Sequence, residues 1–435
     1  MRHMSCFCIR IFALFLFCIA AGCGGNSETS GTTNAGFIAK STVARDTNPQ
    51  VSDADFAAVV EGNTDFALKA FPLLDPGNGT NTVFSPYSIT QALALAAAGA
   101  KGTTLSGIEE ALSFTLPQDR LNPAFNKLDL LLAAETSGAV QGNADQLPQL
   151  NIVNALWAQE GFSILPAYLD TIALNYGTGL HLLDFKNATE ESRITMNSWI
   201  EAQTNSRIRN MLPKGSISAA SRVVLTNAIW FKANWASQFS PENTQDQPFI
   251  GRDGLPSNVP FMHQTLTVPY AQSSDCQAVD IPYVDSKLSM LVLMPAPGTF
   301  DAFLSTLTPT KLRDITTLLA DRRIALALPK FTFNTGPDMG STLKTLGMTD
   351  AFDPSKADFS GIDGSRDLAI EAVVQKAFIS VSEKGTEAAA ATGIIIKTTD
   401  FPGSALPLTV ANPFIFLIRD RQTGLILFMG KVVAL

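Results

Sequence analysis

Hydrophobic residues recur along the chain at two spacings, and each spacing predicts a different kind of element. Between residues 53 and 71, large apolar side chains return every three or four positions, which predicts a helix with one buried face. Ser85 followed by Pro86 is a favourable helix start, and the alanine-rich run at residues 89–98 continues it. The apolar positions of the first helix are Phe56, Val59, Val60, Phe66, Leu68 and Phe71.

Continuous apolar runs predict buried β-strands. Pro329 lies inside one run and predicts a bend or bulge there, because proline cannot donate a ladder hydrogen bond. Helical patterns prevail in the first half of the chain and strands in the second, without a repeat period, so the sequence predicts an α+β fold. The runs lie at residues 150–157, 222–231, 324–333 and 368–382.

The segment after the last of these strands is the most informative part of the chain. Alternate residues from Thr386 to Ile396 are all small or apolar, while Glu387 and Lys397 lie in the other set. A period of two with one buriable face is typical of a strand, yet the four alanines at 388–391 are poor strand formers alone. We therefore expect a segment that stays extended in solvent and fits between two strands. The alternative is a plain helix, which Gly385 and Gly393 disfavour.

Seven motifs stand out along the chain: NTVFSPYSI at 81–89, GAKGTT at 99–104, MNSWIEAQTN at 196–205, VLTNAIWFKANW at 224–235, LSMLVLMP at 288–295, EKGTEAAAAT at 383–392 and PFIFLI at 413–418. They occur in the order in which the serpins, the serine-protease-inhibitor superfamily, carry them, and the chain resembles that family over nearly its whole folded length.

The resemblance implies a serpin fold with three β-sheets, about nine helices and an exposed reactive-centre loop at about residues 383–407. It implies suicide inhibition of a serine-type endopeptidase, in which the cleaved loop inserts into sheet A while the protease is still bound as an acyl-enzyme. A non-inhibitory serpin-fold binding protein is the alternative. The hinge of the loop corresponds to Glu383, Gly385, Thr386, Glu387, Ala388, Ala389, Ala390, Ala391 and Thr392.

The resemblance also implies a shutter and a breach, the places where sheet A must part. They correspond to Ser85, Ser88, Asn227, Trp235 and Gln375. Gln375 stands where the family usually has histidine. A glutamine amide donates and accepts as neutral imidazole does, so we expect the hydrogen bonds to survive and their pH response to be lost. The plainer interpretation is that these are satisfied buried polar groups and a core tryptophan.

The scissile bond is predicted between Thr399 and Asp400 by the family's spacing from Glu383, with Thr398 and Lys397 as alternatives. Counting back from the motif at 413–418 gives Pro402 instead, because this loop is longer than usual. Thr399 predicts an elastase-like or subtilisin-like target, whereas Lys397 would indicate a trypsin-like one. Papain-like cysteine proteases are a second expected target class.

The N-terminus predicts export. Residues 1–22 combine a positive start, a short apolar run and small residues before Cys23, which resembles a bacterial lipoprotein signal with Cys23 lipidated. An ordinary signal peptide is the alternative. Residues 23–50 are rich in Gly, Ser, Thr and Asn and predict a flexible tether, followed by one serpin domain at 51–435. The protein is then lipid-anchored to the bacterial cell envelope, or extracellular if it is not lipidated.

Net charge limits the classes of binding partner, and the cysteine content limits the disulfides that can form. The formal net charge is −8, and removal of Arg2 and Arg10 with the signal makes it −10, which disfavours nucleic acid and anionic membranes. Cys276 alone then remains apart from the lipidated cysteine, so no internal disulfide forms. We expect a monomer without cofactor or metal, touching a membrane only through its anchor.

An enzymatic function has little support in the sequence. Ser341 and Lys344 match an S-x-x-K pattern of penicillin-recognising enzymes, but its companion motifs are lacking. The two histidines outside the signal, His181 and His263, have no ligands at metal spacing. A hydrolase that uses Ser341 remains the third functional hypothesis.

Overall fold

The described residues form ten α-helices and sixteen β-strands. The computed structural model describes residues 37–75, 79–137, 148–386 and 404–435. The helices are α1 (Asp53–Ala70), α2 (Pro86–Ala97), α3 (Gly102–Leu112), α4 (Gln118–Ser137), α5 (Pro166–Tyr176), α6 (Thr189–Gln203), α7 (Phe300–Ser305), α8 (Pro309–Thr317), α9 (Met339–Thr345) and α10 (Ser360–Asp363), with short 3₁₀ turns at Phe71–Leu73, Pro241–Asn243 and Asp350–Phe352.

The strands belong to two hydrogen-bonded sheets. Sheet A has the order β1-β4-β3-β5-β13-β12-β11, and the second sheet has the order β14-β10-β7-β8-β9-β15-β16-β2, with β6 paired to β7. The strands are β1 (Phe37–Ala39), β2 (Thr82–Phe84), β3 (Gln149–Gln159), β4 (Leu180–Leu183), β5 (Val223–Asn234), β6 (Gln245–Ile250), β7 (Pro256–Gln272), β8 (Cys276–Pro282), β9 (Leu288–Pro295), β10 (Ala320–Pro329), β11 (Phe331–Thr335), β12 (Ile370–Ser382), β13 (Gly385–Thr386), β14 (Leu406–Thr409), β15 (Phe414–Asp420) and β16 (Ile426–Val432).

The predicted α+β class is confirmed. The long strand β7 pairs with β6 and β10 along most of its length and with β8 at its end. The second and third expected sheets are therefore hydrogen-bonded into one network in the described part of the chain.

The central helix α2 begins where the sequence predicts. Ser85 is its N-cap, and the Ser85 hydroxyl accepts a hydrogen bond from the backbone N–H of Ser88 at 3.2 Å. Pro86 occupies the first turn, where its missing N–H costs nothing. Every residue of α2 is buried, because the helix packs against β3 and β5 of sheet A and against β16 of the second sheet.

The apolar run with Pro329 is two strands. The part before this proline is β10 of the second sheet, and the part after it is β11 at the edge of sheet A. The proline thus marks the point where the chain passes from one sheet to the other, because it cannot continue the ladder.

Residues 37–50 are packed on the folded unit, which corrects their assignment to a flexible tether. β1 pairs antiparallel with β4, and the backbone N–H of Asp46 donates to the Leu174 carbonyl at 2.9 Å. The Ser41 hydroxyl donates to Asp170. Backbone pairing at a sheet edge requires no apolar pattern, so composition gave no sign of it. The predicted signal, residues 1–22, lies outside the described residues.

Helix α6 covers the outer face of sheet A. Its side chains Met196 and Ile200 pack against Trp157 of β3 and Ala228 of β5 in two small clusters. These clusters lie on the face opposite to α2, so both faces of the central strands are buried.

Candidate functional site

The central strands β5 and β12 pair only along part of their length. They run parallel and are in register from Ala372 to Ala377 of β12. Beyond this stretch they separate, and the two residues of β13 lie between them. Thr386 pairs with Val381 of β12 and with Ala233 of β5, both in antiparallel register. The first residues of the predicted hinge thus already form a short strand in the gap between β5 and β12.

Trp235 holds the entrance to this gap. Its indole Nε1–H donates to the Ser382 carbonyl at 2.9 Å, and its backbone N–H donates to the Lys384 carbonyl at 2.9 Å. Its ring stacks on Tyr283 with centroids 4.7 Å apart. The Tyr283 hydroxyl is hydrogen-bonded to the Thr386 hydroxyl at 2.6 Å, so both sides of the hinge turn are anchored to one aromatic pair.

Glu383 is the buried acidic anchor of the hinge. Its Oε1 accepts from the Lys330 ammonium and from the Thr244 hydroxyl, both at 2.9 Å, and its carbonyl accepts from the Phe239 N–H. Burial raises the pKa of Glu383, but the hydrogen bonds from Lys330 and Thr244 outweigh it, so the pKa lies below its usual value. The carboxylate is therefore charged at neutral pH, and its stabilising contribution is lost only as the pH falls through that lowered pKa.

Only glycine fits at position 385, because the backbone of β5 lies too close for a side chain. The φ of Gly385 is +151°, which favours glycine, and a Cβ at this position would overlap the backbone oxygen of Ala233. Thr386 then turns inward, where it is 1% exposed.

The shutter residues lie together on the paired stretch of β5 and β12. Gln375 Nε2 donates to Asn227 Oδ1 at 2.6 Å and to the Ser85 carbonyl at 3.0 Å, while its Oε1 accepts from the Ser85 N–H at 3.0 Å. The Asn227 Nδ2 donates to Ser88 Oγ. All four residues are fully buried. A glutamine thus makes hydrogen bonds across the junction of β5, β12 and α2.

Shutter and breach are two separate groups on the same seam, the line where β5 and β12 meet. Asn227 lies in one group and Trp235 in the other, eight residues along the chain, which is roughly 26 Å by the rise of a strand. Sequence reasoning missed Tyr283, Lys330 and Thr244, which come from other parts of the chain. Their sequence context carried no signal for these contacts.

Several predicted site residues lie outside the described part of the chain. They are Cys23, the hinge residues Glu387, Ala388, Ala389, Ala390, Ala391 and Thr392, and the residues around the predicted scissile bond, Lys397, Thr398, Thr399 and Asp400.

The S-x-x-K pattern is explained by a helix cap. Asp338 is the N-cap of α9, and the Ser341 hydroxyl donates to its carboxylate at 2.6 Å. The Lys344 ammonium lies over the Phe352 ring, 4.9 Å from its centroid. The serine therefore has a structural partner that accounts for it.

His181 and His263 have ordinary structural surroundings. The His181 ring lies 4.4 Å from Trp157 and 4.9 Å from Trp199 between ring centroids. Burial, with a smaller contribution from Lys40, lowers the pKa of His181 to about 4. His263 Nε2 is 3.1 Å from Gln247 Nε2. Among the described residues, no group of acidic, histidine or cysteine side chains is arranged to hold a metal ion, and no helix is long and apolar enough to span a membrane.

Comparison with known proteins gives consistent matches. The family described as "Serpin (serine protease inhibitor)" matches residues 61–435. The serpin-like protein TK1782 of Thermococcus kodakarensis is 34% identical over 96% of this chain and 96% of its own length. Leukocyte elastase inhibitor A of Mus musculus is 34% identical over 85% of this chain and 97% of its own. The solved native structure of tengpin, a thermophilic serpin, has a TM-score of 0.79 at 28% identity, and the match covers 92% of this chain and all of tengpin.

A family match over residues 61–435, together with a seven-stranded sheet whose central strands already admit the hinge, shows that this chain belongs to the serpin family.

Proposed function

We propose that this protein is a suicide inhibitor of serine endopeptidases that traps its target by inserting its cleaved loop into sheet A. The family is one of protease inhibitors, so a target protease is its expected partner. The observation that carries the proposed mechanism is β13, because Gly385 and Thr386 lie between β5 and β12 and pair with both strands.

The register of β13 defines where the rest of the loop would go. If pairing continues from Thr386 without a shift, each later loop residue meets the preceding residue of β5 and of β12. Thr392 would then lie between Asn227 and Gln375, which are paired with each other before insertion. Ile394 would lie between Leu225 and Val373, both buried in the core.

The alternation of the sequence fits this register. Thr386 faces inward, so Ala388, Ala390, Thr392, Ile394 and Ile396 would face inward too. None of these residues is charged, bulky and polar, or proline. Insertion would replace water contacts with ladder hydrogen bonds worth about 1 kcal/mol each and would bury two isoleucines, which supplies the driving free energy.

The target class follows from the loop sequence. Cleavage after Thr399 favours elastase-like or subtilisin-like proteases, with Thr398 and Lys397 as the alternative sites and papain-like cysteine proteases as a further class. The similarity to leukocyte elastase inhibitor A supports the elastase-like choice.

We further propose that Cys23 is lipidated and holds the inhibitor at the bacterial cell envelope. The support is the pattern of residues 1–22, with small residues directly before the cysteine.

The first prediction concerns complex formation. Incubation with elastase-, subtilisin-, trypsin- and papain-like proteases should give a complex that survives a denaturing gel with the first two. Mass spectrometry of the released loop fragment should place the cut after Thr399. A cut after Lys397 would contradict the elastase-like assignment. Cleavage by every protease without any stable complex would support the non-inhibitory binding protein instead.

The second prediction concerns the entry of the hinge. Thr386→Arg should convert the inhibitor into a substrate that is cleaved without trapping, because burying an unpaired charge costs several kcal/mol. The stoichiometry of inhibition measures this. Thr386→Val is the matched control, since it keeps the shape and removes only the hydrogen bond to Tyr283. Full trapping by Thr386→Arg would rule out insertion of this face.

The third prediction concerns the register. Thr392→Val should lower the melting temperature of the cleaved protein and raise the stoichiometry of inhibition, because Asn227 and Gln375 would lose their hydrogen bond to each other without a replacement, at a cost of about 1–3 kcal/mol. Thr392→Ser keeps a hydroxyl and should behave as the unaltered chain does. Equal melting of the cleaved Val and Ser variants would contradict the extrapolated register.

The fourth prediction concerns the anchor. In a bacterial host, Cys23→Ser should move the protein from the membrane fraction to the soluble fraction. Cys276→Ser, which alters a buried cysteine in β8, is the control and should leave the distribution unchanged. If Cys23→Ser stays with the membrane, the lipid anchor is wrong.

A further inference from the structure

A polar chain of side chains begins at the N-terminal segment and enters the protein. The Arg45 guanidinium donates to Asp129 Oδ2 at 2.6 Å and to Asn126 Oδ1 at 2.9 Å. The other carboxylate oxygen of Asp129 accepts from Gln91 Nε2 at 2.9 Å. Asp129 lies on α4 and Gln91 on α2, so the N-terminal segment contacts the central helix through one carboxylate.

The same chain continues to the seam of sheet A. Gln91 Oε1 accepts from Asn154 Nδ2 on β3 at 2.9 Å. Asn154 Oδ1 accepts from Asn227 Nδ2 on β5, and Asn227 Oδ1 accepts from Gln375 Nε2 on β12. Four side-chain amides thus connect Asp129 with the hydrogen bond that joins β5 to β12.

The two ends of this chain fix the orientation of every amide in it. A guanidinium only donates and a carboxylate only accepts, so Gln91 must turn its nitrogen toward Asp129 and its oxygen toward Asn154. Each following amide must then adopt the same sense. At the other end, the backbone N–H and carbonyl of Ser85 impose the matching orientation on Gln375. Reversal of a single amide would place two donors or two acceptors against each other.

The N-terminal segment is held independently of this chain. β1 pairs with β4, and the Asn126 Nδ2 donates to the Asp46 carbonyl at 2.7 Å. These bonds keep the backbone around Arg45 in place, so the guanidinium is presented to Asp129 by a fixed support. Both side chains of the ion pair are about three-quarters buried, at 25% and 26% exposed.

We propose that Arg45 and Asp129 are positioning residues for the seam: their ion pair sets the orientation of the amide chain and so holds β5 and β12 together until the loop is cut. The proposal rests on the proposed function for its consequence, since the seam matters most if a strand must enter it. The geometry of the chain itself does not depend on the target protease.

The test is hydrogen–deuterium exchange on the uncleaved full chain. Arg45→Gln removes the positive charge that faces the Asp129 carboxylate while keeping an amide, and exchange of the backbone amides around Asn227 and Gln375 should accelerate by roughly three- to tenfold, the effect of losing about one net hydrogen bond. Arg45→Lys should restore exchange rates close to those of the unaltered chain.

Arg120→Gln is the matched control. Arg120 lies on α4 as Asp129 does and pairs with Asp55, but this pair has no bond to the amide chain. If Arg45→Gln changes exchange at the seam no more than Arg120→Gln does, the inference is overturned. If Arg45→Gln does not fold, Asp129→Asn is measured instead, because a neutral amide also removes the fixed polarity. The same rise is expected, and its absence overturns the inference.

This readout separates the inference from the proposed function. Accelerated exchange in a chain that forms no protease complex would support the positioning role and contradict inhibition. Stable protease complexes together with unchanged exchange would support inhibition and contradict the positioning role. In an inhibitory chain, Arg45→Gln should also lose inhibitory capacity faster on incubation without protease, and Arg120→Gln should not.

Discussion

The contact between the amides of Asn227 and Gln375 is the constraint on which sheet A depends. Both side chains are fully buried, and the neighbouring inward positions on their strands, such as Ile229 and Ala377, are apolar. An apolar pair at this point would be held by packing alone. A buried amide pair is different, because breaking it leaves donors and acceptors that must find new partners. The seam is therefore stable while its hydrogen bonds are intact. A strand that separates β5 from β12 must offer these two amides new donors and acceptors.

The hinge residues Gly385 and Thr386 are paired within sheet A, and specific contacts fix their position there. Gly385 gives the closest approach, since only the missing Cβ allows the backbone to pass Ala233. Glu383 fixes the preceding turn through Lys330 and Thr244. The stacked pair of Trp235 and Tyr283 then fixes the residue after Gly385, through the hydrogen bond between the Tyr283 and Thr386 hydroxyls. Three different interactions, steric, ionic and aromatic, thus define the position of the hinge residues between β5 and β12.

Local signals in the sequence were sufficient for the elements and for part of the site. Ser85 as an N-cap, the strand that became β12 and the role of Gln375 as a hydrogen-bonding residue follow from neighbouring residues and from the family's motifs. Contacts made by Tyr283, Lys330 and Asn154 depend on strands that meet only after folding, and no pattern around those residues marks them. The packing of residues 37–50 was missed for another reason. Its bonds are backbone bonds at a sheet edge and a few scattered polar contacts, such as those of Ser41 and Arg45, none of which has a compositional signature.

Gln375, at the position where the family resemblance implies histidine, gives the seam no group that titrates near neutral pH. A carboxamide does not titrate between pH 5 and 8, whereas an imidazole does. Ser85 and Asn227, its partners, do not titrate there either, and Glu383 at the hinge has its pKa held below the usual value. Protonation near neutral pH therefore has no group to act on among these four residues. The orientation of the amides must instead come from fixed donors and acceptors, and the chain supplies these at Ser85 on one side and at Asp129 with Arg45 on the other. Glutamine at position 375 and the ion pair of Arg45 with Asp129 are thus two aspects of one arrangement, in which the hydrogen bonds between β5 and β12 do not depend on a group that titrates near neutral pH.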